Sequence, residues 1–321
     1  MLPPKDRLTV CFAHVAYRMK ERFALRNTGI SSIEVRTREE LDARIAEADV
    51  LLCSGLWRND LISRAPKLRF VQSISAGVDQ YDKAALATAG IRLASAQGVN
   101  ARAVSEHAMA LILALARRLP EARDNQAKRV WRGMLGDLSQ REDELGGKTL
   151  LIVGLGRIGN RLAQLAKAFD MRVLATRRDP AAGGDADEVH AMGALTSLLP
   201  QADVVALTCP LTPETERLIN AETLALLRPS AALVNVARGR CVDEPALIAA
   251  LNAGRLTAAA LDTTIEEPLA QGSPLWAMPN VFVTPHTAGE TRRYEDNVID
   301  ILIENLDRLW RGETALSNQI V

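Results

Sequence analysis

Cysteine and histidine are scarce in this chain, four of each among 321 residues, and neither is arranged to hold a metal. Cys11, Cys53, Cys209 and Cys241 lie far apart, with no Cys-x-x-Cys pair and no Cys or His at zinc-ligand spacing, so no metal site is expected. Three of the four sit in or beside apolar, strand-like stretches, which predicts buried free thiols, a reducing compartment and a cytoplasmic protein. Net charge is also absent: 39 basic residues balance 39 acidic ones, which removes the footprint of a nucleic-acid binder. Long hydrophobic runs are missing. The stretch 108–116 is far short of the ~20 apolar residues that a membrane span needs. Residues 1–7 are charged and proline-rich, unlike an export signal, so neither membrane insertion nor export is expected.

What remains is a soluble globular composition, 48% hydrophobic and 24% charged. The length exceeds what one core usually supports, so two domains with a cleft between them are expected. Short apolar runs at 8–13, 33–35, 50–53, 70–74 and 91–93 alternate with helix-permissive stretches and predict a small α/β domain. Residues 100–118 then place Ala101, Val104, Ala108, Leu111 and Leu115 at 3,4 spacing, a long amphipathic helix read as a bridge between domains. After a polar, glycine-containing stretch at 132–147, strands are predicted at 149–153, 172–175, 204–207, 232–236, 258–261 and 281–283. Alternation with helices implies a parallel sheet. The final helix, over 292–311, is expected to return to the first domain. There is no low-complexity segment and no fixed-period repeat.

One motif has a specific context. Gly154-Leu155-Gly156-Arg157-Ile158-Gly159 follows the predicted strand 149–153 and opens a helix carrying Ile158, Leu162, Leu165 and Phe169. That arrangement seats the pyrophosphate of a dinucleotide: Gly154 makes the tight turn, Gly156 lets the anion approach the backbone, and Gly159 lets helix and strand pack closely. The next strand ends in Ala175-Thr176-Arg177-Arg178, where an acidic residue would accept the ribose hydroxyls of NAD. A guanidinium there suits a 2′-phosphate instead, so Arg177 and Arg178 favour NADP(H), while nearby Asp179 leaves NAD(H) possible.

A proton donor working near neutral pH is sought among His14, His107, His190 and His286. His14 ends a first-domain strand, His107 lies within the long helix, and His190 sits in a polar connection where a solvated role is expected. His286 follows Val283-Thr284-Pro285 at the C-terminal end of a sheet strand, where open α/β sheets bind their ligands.

The residues then resemble a known family, the D-2-hydroxyacid dehydrogenases, from about Ser75 to the C-terminus. Its pattern is matched at Ser75-Ala76-Gly77-Val78-Asp79, Val104-Ser105-Glu106-His107, the glycine motif, Val234-Asn235-Val236-Ala237-Arg238-Gly239, Glu267-Pro268 and Pro285-His286. The resemblance implies two Rossmann-like domains: a flavodoxin-like substrate domain at 1–98 plus 290–321, and a doubly wound parallel-sheet dinucleotide-binding domain at 99–289, with hinges near Gly98 and Gly289. It further implies that Arg238 binds the substrate carboxylate and carbonyl, that the main chain of Ala76, Gly77 and Val78 completes that clamp, and that His286 exchanges the proton with Glu267 as its partner. Such a carboxylate would fix the ring's tautomer and favour its protonated form. Asp262 is matched to the residue that bonds the nicotinamide carboxamide, and Ala237, Cys209 and Pro210 to cofactor contacts beside Gly154, Gly156, Arg157, Ile158 and Gly159. Leu56-Trp57 is read either as lining the substrate pocket or as core.

The activity implied is NADPH-dependent reduction of a small 2-oxo acid, glyoxylate, hydroxypyruvate or similar, to the 2-hydroxy acid by a homodimer whose long helix and following arm meet the partner. Formate or phosphite dehydrogenases share the cofactor half but not the carboxylate clamp. Phosphoglycerate dehydrogenases usually use NAD, and no added regulatory domain is expected before Val321. A cofactor-sensing corepressor would keep the same trio and differs in lacking turnover.

Overall fold

The structure, a computed structural model, describes residues 2–321 and divides into two compact units. The first comprises the described residues up to Asn100 together with Thr291–Val321; the second is Ala101–Glu290.

The first unit is a five-stranded parallel sheet, β1 (Thr9–Ala13), β2 (Ser31–Val35), β3 (Val50–Cys53), β4 (Phe70–Ser73) and β5 (Arg92–Ala94), in the order β2-β1-β3-β4-β5. Both faces are covered, which is why its strands read as continuous apolar runs instead of alternating. Val10 and Phe12 face a core built with the helix Met19–Ala24 and the C-terminal helix Tyr294–Trp310, through Met19, Phe23, Val298, Leu302 and Leu306. Cys11 and Ala13 point the other way, against Leu41, Leu61 and Leu86 from three short helices. The C-terminal helix therefore belongs to the first unit. Its buried Asn305 donates to Gln72 Oε1 at 3.0 Å, and Gln72 in turn donates to the carbonyl of Ala94 at 3.3 Å.

The second unit holds seven parallel strands: β6 (Thr149–Val153), β7 (Arg172–Arg177), β8 (Glu188–Ala191), β9 (Val204–Leu207), β10 (Ala232–Asn235), β11 (Ala258–Leu261) and β12 (Val281–Val283). Their order is β12-β11-β10-β9-β6-β7-β8. The chain winds outward from β6 through β7 to β8, then restarts at β9 on the other side of β6. The crevice between β6 and β9 is the topological switch point, where such sheets bind ligands. One face packs on the helix Ala101–Ala116 and the helix Arg157–Lys167; the other packs on the helix Glu244–Asn252 and shorter segments.

Three elements differ from the sequence reading. The long helix begins at the unit boundary and buries Val104, Ala108, Leu111 and Ile112 in the core of the second unit, so it is a core helix of that unit and not a bridge. A second helix, Leu119–Ala127, follows after Arg118 turns through a left-handed φ of 49°; it buries no side chain and so leaves no apolar period to read. β8 is a short edge strand whose half-exposed residues carry no run of hydrophobics, and it places His190 on the sheet edge, 3.3 Å from Glu188.

All four cysteines are buried and free. Burial pushes the Cys11 and Cys53 thiols up to about 12. Among the described residues no helix is long and apolar enough to cross a membrane, and no three His, Cys, Asp or Glu side chains gather as a metal site.

Candidate active site

The glycine turn lies at the C-terminal end of β6, beside the end of β9. Gly154 takes φ +104°, and a Cβ there would stand 2.6 Å from both Cα and N of Cys209, so main chain meets main chain at the switch point. Thr208 Oγ1 ties the two strand ends by donating to the Gly154 carbonyl at 2.8 Å. Gly159 is needed for the same packing, since its Cβ would sit 2.5 Å from the Gly154 oxygen. Gly156 differs: nothing lies within 4 Å of a Cβ placed on it, and it is exposed. It caps the helix Arg157–Lys167 without any side-chain hydrogen bond. The first-turn amides of this helix, that of Ile158 among them, point out of its N-terminus, a donor set that fits a pyrophosphate anion.

At the end of β7, Arg177 is partly buried and donates to the Gly183 carbonyl, while Arg178 is exposed. Asp179 uses one carboxylate oxygen to cap the turn Pro180–Ala182, accepting from Ala181 N at 3.1 Å. Across the crevice Pro210 is exposed, but Cys209 is only 5% exposed and serves as the surface against which Gly154 packs. Ala237 is also buried; its amide donates to Asn235 Oδ1 at 3.0 Å and its carbonyl accepts from Arg238 Nη1 at 2.7 Å. Asn235 was not singled out from sequence. Its side chain also donates to the Arg238 carbonyl at 3.0 Å, so one buried amide shapes the loop that presents Arg238. The signal available was a polar residue closing an otherwise apolar strand.

The trio is brought together in part by backbone contact. A Cβ on Gly239 would fall 2.0 Å from the carbonyl carbon of Thr264, so the loop bearing Arg238 lies directly on the loop bearing Glu267. Glu267 Oε1 accepts from the Thr264 amide at 3.2 Å, and Oε2 pairs with His286 Nδ1 at 2.7 Å. His286 adopts φ +54°, a left-handed conformation held by its own amide, which donates to the carbonyls of Asp262 at 2.8 Å and Thr284 at 3.0 Å. A non-glycine residue kept there by its surroundings is a common mark of a functional turn. Both side chains are accessible, 45% for His286 and 38% for Glu267.

Asp262 also has a role inside the chain. Its side chain is 1% exposed, and both oxygens are engaged inside the chain, by the Thr284 hydroxyl at 2.6 Å and the amides of Thr287 at 3.0 Å and Ala288 at 3.1 Å. It fastens the His286 turn. In the first unit, Trp57 is 5% exposed, stacks obliquely on Tyr81 and donates to Asn59 Oδ1 at 2.8 Å; it is core. Ala76, Gly77 and Val78 follow β4 half-buried, and among the described residues no hydrogen bond uses their amides.

Partial burial by itself would push the Glu267 carboxyl up, but the His286 hydrogen bond and charge, the Thr264 amide and Arg238 outweigh it and hold the group below its ordinary 4.5. The pairing it supports is present above that value and is lost as pH falls through the depressed one. An NMR titration of the Glu267 carboxyl carbon should show a midpoint under 4.5; a midpoint at or above it would contradict the paired geometry.

Comparison with known proteins shows the family. Residues 109–288 match the family model of the D-isomer specific 2-hydroxyacid dehydrogenase, NAD binding domain. The chain is 38% identical to a glyoxylate reductase of Aeropyrum pernix over 86% of this chain and 84% of that one. It is 36% identical to glyoxylate/hydroxypyruvate reductase B of Yersinia enterocolitica, covering 96% of this chain and 95% of that one. Among solved structures, the TT0316 protein of Thermus thermophilus superposes with a TM-score of 0.86 at 35% identity, covering 98% of this chain and 100% of that one. A D-isomer specific 2-hydroxyacid dehydrogenase of Xanthobacter autotrophicus, solved with NADPH and MES, does so with 0.81 at 29% identity, covering 98% of each. The residues at the switch point suit a nicotinamide dinucleotide, and the chain belongs to the D-isomer specific 2-hydroxyacid dehydrogenase family, oxidoreductases acting on 2-hydroxy acids.

Proposed function

We propose that this chain reduces a small 2-oxo acid, glyoxylate or hydroxypyruvate being the first candidates, to the 2-hydroxy acid with NADPH. The observation that carries the reading is the 2.7 Å pair of His286 Nδ1 and Glu267 Oε2, at the C-terminal edge of the sheet and beside the Arg238 loop. The dinucleotide supplies a hydride when bound. Arg238 offers a permanent cation with a planar fork that matches the substrate carboxylate and draws charge from the adjacent carbonyl. The open amides of residues 76–78 suit the same kind of anion. His286 keeps Nδ1 on Glu267, so Nε2 faces the reaction and hands its proton to the carbonyl oxygen as negative charge grows there. The imidazole is left neutral, with its remaining proton on Nδ1 toward Glu267. In the reverse direction the same nitrogen takes the hydroxyl proton.

Arg177 and Arg178 support NADP(H) over NAD(H), because two guanidinium groups stand at the end of β7 where a 2′-phosphate would lie, while Asp179 uses one of its carboxylate oxygens on its own turn. A second copy of the chain is the proposed partner. Trp131 and Met134 are fully exposed and Leu138 is 75% exposed, beside the helix Leu119–Ala127, an apolar strip that monomers rarely leave to water. The buried free thiols support a reducing, cytoplasmic setting.

NADPH absorbance should fall with glyoxylate or hydroxypyruvate. His286→Ala should lower kcat by about 10²–10⁴-fold, with cofactor affinity within about twofold. No turnover with any 2-oxo acid, despite tight cofactor binding, would replace the enzyme by a cofactor-sensing protein. Arg177→Asp should weaken NADPH binding at least tenfold more than NADH, about 1.4 kcal/mol of discrimination; equal effects would remove the 2′-phosphate assignment. In sedimentation, the wild type should run as a dimer and Trp131→Asp/Met134→Asp as a monomer. A wild-type monomer would overturn that part.

A further inference from the structure

His107 stands on the core helix Ala101–Ala116, outside the trio, yet its imidazole reaches the underside of the His286 turn. Nε2 lies 3.0 Å from Thr284 Oγ1 and 3.5 Å from Asp262 Oδ1. Proton accounting fixes the direction of this contact. The Thr284 hydroxyl has one proton, and its 2.6 Å bond to Asp262 Oδ1 uses it. Thr284 can therefore only accept from His107, so Nε2 carries a proton. The opposite tautomer would aim a lone pair at the Asp262 carboxylate and draw the hydroxyl proton away from it.

Asp262 is the knot of the turn. Its carbonyl takes the His286 amide at 2.8 Å, and its carboxylate takes the Thr287 amide at 3.0 Å and the Ala288 amide at 3.1 Å. The turn is thus held immediately on both sides of His286, which is what its left-handed φ of +54° requires. Loosening the knot releases strain by moving the ring.

We propose that His107 is a positioning residue for the His286 turn, delivering its Nε2–H to Thr284 so that the Thr284 hydroxyl proton stays on Asp262. The line of action runs from the core helix through one imidazole, one hydroxyl and one carboxylate to the main chain around His286. It rests on the reading of His286 as the proton donor. Its consequence is selective: His107 touches neither the glycine turn nor Arg238 in this network, so the penalty falls on proton transfer and not on binding. A displacement of the ring by even about 1 Å is enough to cost one to two orders of magnitude in rate.

The test compares His107→Ala, His107→Gln and Thr284→Val, with Thr284→Ser as the conservative control. His107→Ala should lower kcat about tenfold or more, with substrate KM and cofactor affinity within about twofold. His107→Gln, whose amide can still donate to Thr284, should recover most of the rate. Thr284→Val should match His107→Ala, Thr284→Ser should stay near wild type, and the double variant should be no worse than either single one. A second readout needs neither substrate nor turnover. Hydrogen exchange followed by mass spectrometry on the free protein should show faster exchange across residues 284–290 in His107→Ala and near-normal exchange in His107→Gln. Equal damage from His107→Ala and His107→Gln, a loss residing in KM, or unchanged exchange at 284–290 would each overturn the proposal. Should the wild type turn over no 2-oxo acid, the dehydrogenase reading fails on that assay, while the exchange comparison still decides whether His107 holds the turn.

Discussion

Everything at the sheet's C-terminal edge depends on how closely the ends of β6 and β9 approach. The Gly154 backbone lies against that of Cys209, with no room for a methyl group between them. This contact closes the switch-point crevice at its floor, lets Thr208 clasp the Gly154 carbonyl, and aims the following helix so that its first amides face outward. Two glycines are accounted for by the protein's own packing. The third, Gly156, meets nothing internal, and the protein's own packing does not call for a glycine there. The distinction separates folding requirements from binding requirements within one six-residue motif.

A second contact of the same kind organises the loops that carry Arg238 and Glu267. Gly239 lies on Thr264, so the arginine loop and the glutamate loop are locked together by main chain rather than by long, flexible side chains. Rigidity at this level matters because charge develops over a few ångströms during reduction of a carbonyl, and donors that need not reorganise stabilise it best. The side chains of His286 and Glu267 stay partly open to solvent, but their bases are fixed by Asp262, Thr264 and the turn itself.

Much of this was legible in the sequence, for a physical reason: parallel strands buried on both faces are unbroken apolar runs, and the glycine motif is bounded by such a run and a helix. The seven-stranded sheet lost only β8, where an edge strand needs few hydrophobics. The helix Leu119–Ala127 was invisible because it buries nothing. Residues whose work is internal were harder to read. Asp262, Cys209 and Ala237 are buried, and each also has work inside the chain: Asp262 holds the Thr284 hydroxyl, Ala237 donates to Asn235, and Cys209 packs on Gly154. His107 carries no spacing signal, because its partner Thr284 is 177 residues away and chosen by topology, whereas Asn235 works locally, on residues two and three positions on, and shows only as a polar end to an apolar strand.

The first unit's sheet has one further property. β5 would present a bare row of amides and carbonyls, the kind of edge on which a stray strand can grow. The last residues of the chain lie along it: Ile320 donates to the Leu93 carbonyl at 2.8 Å, Val321 to the same oxygen at 3.2 Å, and Leu93 returns a bond to Val321 at 3.3 Å. Gln319 bridges Ala94 in antiparallel fashion. Three residues thereby fill donors and acceptors on β5 that an incoming strand would otherwise use, so the sheet's outer border is sealed by main chain from the far end of the sequence.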